Sequence, residues 1–304
     1  MSIQQQDFFQ FDQLDLLARQ VVEGFIIGLH KSPYHGFSVE FAEHRLHTVG
    51  ESIKDIDWKV FARTEKLYTK KFEEETNLRC QIVIDASSSM YFPQEREKGK
   101  LNKIEFSCLS AAALMYMMKK QRDAVGLTVF DKEVKVQTGA KTNALHHQLL
   151  MNELHKLLSN TSVQQPTSAA KCLHQVADSI HKRSMVMVFS DMLDSLDENE
   201  IFLALQHLKH CKHEVVLFHV VDKAKEMDFN FENRPYKFID LETGEELKLQ
   251  PNQVKDFYIE KMEQRKANLK LKCAQYKIDL VEADINEGYK SILTSYLVKR
   301  SKMI

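Results

Sequence analysis

Glycine and proline are scarce in this chain, nine and five among 304 residues, and no internal repeat or low-complexity segment is present. That leaves no flexible linker of the usual composition between domains. The five cysteines are an odd number without a C-x-x-C pair, which reads as reduced thiols rather than a disulfide framework. A formal net charge of -1 gives no global attraction to nucleic acid or an anionic membrane. The longest mostly apolar stretch, Phe106 to Met118, is too short and too interrupted to span a bilayer. The first residues, Met1-Ser2-Ile3-Gln4-Gln5-Gln6-Asp7, show no basic region followed by an apolar core, so a cytoplasmic location is expected. Also missing are a G-x-S-x-G elbow, a P-loop and a His-Glu-x-x-His helix, and with them the commonest catalytic signatures.

What is present is the composition of a soluble globular protein, 43% hydrophobic and 28% charged, long enough for one large or two modest domains. Apolar positions Leu14, Leu17, Val21, Phe25 and Leu29 predict an amphipathic helix at the N-terminus. From Cys80 onward, compact apolar runs alternate with helical periods, the pattern of a doubly wound α/β domain with a mostly parallel sheet flanked by helices. The runs predict strands at 80–85, 124–130, 133–138, 184–190, 214–220 and 277–282, and helices near 102–121, 143–158, 168–182, 197–210, 252–273 and 286–300. The pair turning at Asp131-Lys132 reads as a hairpin, so the sheet is expected to be mixed. Residues 222–251 form an insertion, with a small hairpin expected around Thr243-Gly244. The chain thus divides into an N-terminal segment, 1–79, and an α/β domain, 80–304.

Chemistry concentrates after the first predicted strand. Asp85-Ala86-Ser87-Ser88-Ser89 follows the apolar run Cys80 to Ile84 and sets three oxygen ligands on one turn. Such donors suit a hard divalent cation, since Mg²⁺ takes oxygen ligands and needs only one or two protein carboxylates. A second run, Met185 to Phe189, ends in Ser190-Asp191. Gln165-Pro166-Thr167 precedes a helical pattern, which puts Thr167 at or near an N-cap. Open parallel sheets bind ligands at the carboxyl ends of their strands.

At these residues the chain resembles the von Willebrand factor A-type domain and its metal-ion-dependent adhesion site. Asp85, Ser87, Ser89, Thr167 and Asp191 fill the five ligand places that this resemblance implies. A longer resemblance covers nearly the whole chain. Gly36 to Arg45, Val49 to Thr64 with Asp57-Trp58-Lys59, and Lys70 to Glu75 resemble the signature of a bacterial family of uncharacterised function. That family carries an A-type domain and is typically encoded beside MoxR-type AAA+ ATPases. The resemblance implies a Rossmann-like fold behind a family-specific N-terminal segment, Mg²⁺ or Mn²⁺ as cofactor, and a protein partner that offers an acidic residue to the metal. It further implies a non-enzymatic adaptor of such an ATPase.

Other readings carry less. His207, His210, Cys211 and His213 suggest a metal cluster, but only His207 and Cys211 share a helix face, and a solvated helix end accounts for the set. Lys54, Lys59, Arg63, Lys66, Lys70, Lys71 and Arg79 interleave with Trp58, Phe61 and Tyr68 as on a nucleic-acid surface. The acidic residues among them favour ion pairing or a protein interface instead. A Mg²⁺-dependent phosphohydrolase using Asp85 as nucleophile is the enzymatic alternative. Phosphatases of the haloacid dehalogenase type need a second Asp where Ser87 stands.

Overall fold

The structure, a computed structural model, describes residues 11–30, 44–46, 62–63, 68–70, 78–94, 100–159, 168–193, 198–241 and 244–303. The chain falls into two compact units, one joining residues 1–23 to 78–304 and the other comprising 24–77. The division drawn from sequence at residue 79 put the N-terminal helix wholly with the segment that follows it. Here the first half of that helix, α1 (Phe11–His30), groups with the α/β unit. Leu14, Ala18 and Val22 are its buried stripe, spaced by four as one helix face requires.

In the smaller unit, β1 (His44–Leu46) pairs antiparallel with β2 (Tyr68–Lys70). Most of the family signature and of the basic run from Lys54 lies outside the described residues.

The larger unit is built on a six-stranded sheet. Its strands are β3 (Arg79–Asp85), β4 (Ala124–Phe130), β5 (Val134–Gln137), β6 (Met185–Ser190), β7 (Glu214–Val221) and β10 (Asp279–Asp284). They lie in the order β10-β7-β6-β3-β4-β5, with only β5 antiparallel to its neighbour. This is the expected mixed α/β sheet. β4 and β6 are buried along their whole length, as near-continuous apolar runs between two helical layers should be. Because β4 lies on one side of β3 and β6 on the other, the chain reverses its winding at the carboxyl end of β3. A crevice forms at such a reversal.

The helices are α2 (Lys103–Lys120), α3 (Ala144–Ser159), α4 (Ala169–Ser179), α5 (Glu198–His210), α6 (Pro251–Gln275) and α7 (Lys290–Met303). α2 starts at a capping box, in which the Asn102 side chain accepts from the Glu105 amide and Glu105 accepts in return from the Asn102 amide. Two of the helix's otherwise unpaired N-terminal donors are satisfied this way. Fourteen of its 18 residues are buried, so it is a core helix rather than an amphipathic one.

Several boundaries differ from their expected positions, among them the end of α4, at Ser179 rather than 182. β10 begins at Asp279 because Lys277 adopts a left-handed turn (φ 56°), and α7 waits until Lys290 because Gly288 (φ 86°) turns the chain first. The insertion contains the expected hairpin, β8 (Tyr236–Ile239) against β9 (Glu246–Leu249). Its anchor is aromatic. The Phe229 ring lies 5.8 Å from Phe238 of the hairpin and 4.5 Å from Tyr258 of α6, within the range where ring pairs attract.

Candidate metal centre

β3 delivers Asp85 to the crevice, and the turn after it returns one Asp85 oxygen to the backbone, 3.0 Å from the Ser87 amide. The other oxygen accepts the hydroxyl of Ser190, 2.7 Å away at the end of β6. The Ser87 and Ser89 hydroxyls stand 3.1 Å apart, and Ser89 is near enough to Asp191 to help lower its carboxyl. Four of the five residues singled out in the sequence therefore gather at one place, Asp85, Ser87 and Ser89 through hydrogen bonds and Asp191 close enough for its charge to raise the Asp85 carboxyl. Thr167, the fifth, lies outside the described residues. The helix that follows it starts with Ser168 as N-cap, whose amide donates to the Asp131 carbonyl at the end of β4 (3.2 Å).

Both carboxylates are about 1% exposed, yet they sit in different electrostatic surroundings. Burial and then the charge of Asp191 push the Asp85 carboxyl up to about 7, against the hydrogen bonds from Ser190 and Ser87. Burial would raise Asp191 as well, but the Lys103 ammonium overrides it and holds that carboxyl below its ordinary value. A carboxyl poised this high, beside one that stays ionised, marks a pair short of positive charge.

Lys103 is the residue that sequence reasoning missed. It is the first residue of α2, it has no exposed surface, and its Nζ lies 2.7 Å from Asp191 Oδ2 and 2.6 Å from Glu226 Oε1. Glu226 belongs to the π-helical turn Lys223–Met227 that opens the insertion, where its other oxygen accepts the Asp222 amide at 2.7 Å. Although burial opposes the charged form, Asp191 and Glu226 together hold the Lys103 ammonium above its ordinary value, so it stays protonated. His219 of β7 completes the wall. Burial drops its pKa to about 4, and the neutral ring donates through Nε2 to the Asp191 carbonyl, 3.1 Å away. The one local signal for Lys103 was a cation opening a helix that is otherwise apolar; nothing local marks Glu226.

Hard oxygen donors, two of them carboxylates and two hydroxyls, match the preference of Mg²⁺ or Mn²⁺. The residues present fit such an ion. The histidine set does not converge. His213 is fully buried and accepts the Ser184 amide through Nδ1 (3.3 Å), whereas His207 faces His174 of α4, with Nδ1 atoms 3.0 Å apart. Among the described residues no group of three or more His, Cys, Asp or Glu side chains is arranged to hold a metal by those residue types alone. The Asp-Ser-Ser-Asp group draws half its donors from serine.

The chain belongs to the family described as "Protein of unknown function DUF58", which matches residues 43–268. Uncharacterised proteins of Mycobacterium tuberculosis and Mycobacterium bovis are 22% identical over 213 residues, 69% of this chain and 63% of theirs. This chain thus spans less than two thirds of the curated relatives it matches. Among solved structures it is similar to the conserved hypothetical protein BatB from Bacteroides thetaiotaomicron, at 14% identity and TM-score 0.46, covering 74% of this chain and 98% of that one. An aerotolerance-related membrane protein from Bacteroides fragilis gives 13% and 0.47, over 74% and 99% of the two chains. The Rpn10 VWA domain gives 13% and 0.37, over 72% and 94%. Among the described residues no helix is long and apolar enough to cross a membrane.

Proposed function

We propose that this protein is a metal-dependent protein-interaction module. Asp85, Ser87, Ser89 and Asp191, with Thr167 as the fifth ligand, would hold Mg²⁺ or Mn²⁺. The carrying observation is that two buried aspartates 106 residues apart in sequence, at the ends of parallel strands, come together beside the Ser87 and Ser89 hydroxyls, where burial and the charge of Asp191 push the Asp85 carboxyl up to about 7. When bound, the cation supplies an electrophilic position that an acidic side chain of a partner can fill. The protein's own groups do the rest. Ser190 and the Ser87 amide fix both oxygens of Asp85, and Lys103 and the Leu193 amide fix those of Asp191, so the donors are already oriented before a ligand arrives.

The partner class that the family resemblance supports is a MoxR-type AAA+ ATPase, with this chain as its cytoplasmic adaptor in assembly work. A phosphohydrolase is the weaker reading, because Ser87 stands where a second Asp would be needed. Titration calorimetry with Mg²⁺ and Mn²⁺, on wild type and Asp85→Ala, tests the metal. Affinity capture with and without EDTA tests the partner. Saturable uptake of one ion, lost in Asp85→Ala, with EDTA-sensitive capture of an AAA+ ATPase, is the expected result; absence of uptake refutes the proposal.

A further inference from the structure

Lys103 occupies a place that ordinary helix electrostatics disfavours. The first turn of a helix carries the positive end of its dipole and stabilises anions, so a cation there costs free energy. Taking that ammonium wholly out of water costs more. Two carboxylates offset these costs, Asp191 from β6 and Glu226 from the insertion, at 2.7 and 2.6 Å. The ammonium is also confined. The Lys103 amide donates to the Phe92 carbonyl at 3.0 Å, and the Phe92 ring lies 5.8 Å from Nζ.

Asp191 is a shared acceptor. Its Oδ2 takes the Lys103 ammonium and its Oδ1 takes the Leu193 amide at 3.0 Å, so a further cation would share each oxygen with a donor already in place, and on Oδ2 that donor is itself a cation. We propose that Lys103 is a tethered cation that competes with the divalent ion for Asp191, and thereby sets the affinity of the site for metal. The inference rests on the metal reading above. It goes further by assigning to a lysine outside the Asp-x-Ser-x-Ser turn the role of weakening the site.

The consequence follows from charge. An ammonium and a divalent ion sharing one buried carboxylate repel each other, and in a poorly solvated pocket that repulsion is large. Metal binding is therefore loose and reversible in the protein alone. An acidic side chain from a partner, adding the negative charge that Lys103 withholds, makes metal and partner bind with positive cooperativity.

The test uses Mn²⁺ alone as probe, with calorimetry and the electron paramagnetic resonance of bound Mn²⁺ as readouts, on the full chain. Lys103→Met should bind Mn²⁺ roughly tenfold or more tightly than wild type. Damage to the fold works in the opposite direction, since a loosened site binds more weakly. Because Lys103→Met strands two buried carboxylates, the pair Lys103→Met with Glu226→Gln, which conserves charge, is measured beside it. Circular dichroism selects whichever is folded. Tighter binding in the folded variant supports the inference, and so does uptake by that variant when wild type takes up none, although this second outcome sinks the metal reading for the native protein. Equal or weaker binding overturns the inference and leaves the metal reading standing. No uptake by wild type or variant, or failure of both variants to fold, overturns it too, the latter because it makes Lys103 a structural requirement.

Discussion

Replacing Asp85 by Asn should stabilise the metal-free protein at pH 8 while abolishing its response to Mg²⁺. Burial and the charge of Asp191 hold the Asp85 carboxyl at about 7 in the folded chain, against the ordinary 3.8 that the unfolded chain approaches. Between those values the folded state binds a proton that the unfolded state has released, so stability falls as pH rises through the window. At roughly 1.4 kcal/mol per unit the full loss is about 4 kcal/mol above pH 7. Asn carries no charge and escapes that penalty. It keeps one carbonyl oxygen for the two donors that Asp85 satisfies, the Ser87 amide and the Ser190 hydroxyl, and one imperfect hydrogen bond costs about 1 kcal/mol. The net gain is about 3 kcal/mol at pH 8 and reverses to a loss of about 1 kcal/mol near pH 4, where only the weakened hydrogen bond remains. Urea unfolding in EDTA at a series of pH values measures it, and the difference between the two proteins isolates Asp85 from every other titrating group. Adding Mg²⁺ should raise wild-type stability at pH 8, because a ligand that binds only the folded state stabilises it, and leave Asp85→Asn unmoved. A wild-type curve without this extra decline, or an Asn variant less stable at pH 8, would refute the electrostatic account of the site.

Ser190→Ala removes a hydrogen bond that lowers the Asp85 carboxyl; the midpoint of the same pH-dependent loss should move to higher pH, as read from the same urea series. Gly126→Ala should cost about 1–3 kcal/mol in urea unfolding, because a Cβ there would meet the Thr138 carbonyl at 2.6 Å and the Gln81 side chain at 2.4 Å, and the first of these is backbone that cannot swing aside. Arg300→Met should cost about 3 kcal/mol or more, since Arg300 Nε lies 2.7 Å from Asp123 Oδ2 and the carboxylate is about 1% exposed. Tyr296 and the Leu78 amide keep part of that carboxylate's hydrogen bonding, so a loss below 1 kcal/mol would show that they suffice.

The sheet was legible because fully covered strands must be apolar on both faces, and Ile82-Val83-Ile84 and Met185 to Phe189 are unbroken runs of that kind. Helix faces were read less accurately. Size-weighted periodicity picked Leu17 and Val21 beside Leu14, whereas the buried stripe runs through Ala18 and Val22, which are fully covered while Leu17 and Val21 are half-buried. Close packing of a helix selects a small residue that a hydrophobicity pattern undervalues. The role of Lys103 is not legible from its one local signal. Its partners lie 88 and 123 residues away, and a lysine at the head of a helix reads in sequence as a solvated end.

The strand ends show what the structure adds to the residues that the sequence singles out. β3, β6 and β10 end in or run directly into aspartate, and so do β4 and β7, giving Asp85, Asp191, Asp284, Asp131 and Asp222 along one edge of the sheet. Each uses one carboxylate oxygen in the same way, on a backbone amide two or three residues ahead: Ser87, Leu193, Asn286, Glu133 and Lys225. That is the ordinary chemistry of Asp at a turn, and it makes the five alike in their local contacts. The second contact separates them. Asp131 has Lys135, four residues on, at 3.6 Å, while Asp222 and Asp284 share the amide of Asn286, which ties β7 to β10. Only Asp85 and Asp191, among these five, reach across to a buried hydroxyl or a buried ammonium from another element. A hydroxyl can also donate to water or ligate a cation, and an ammonium can be displaced by one; the amide of Asn286 serves neither use as well. The two aspartates whose long-range partners are exchangeable are the two that the proposed metal reading uses; the local contacts of the other three hold the turns in which they lie.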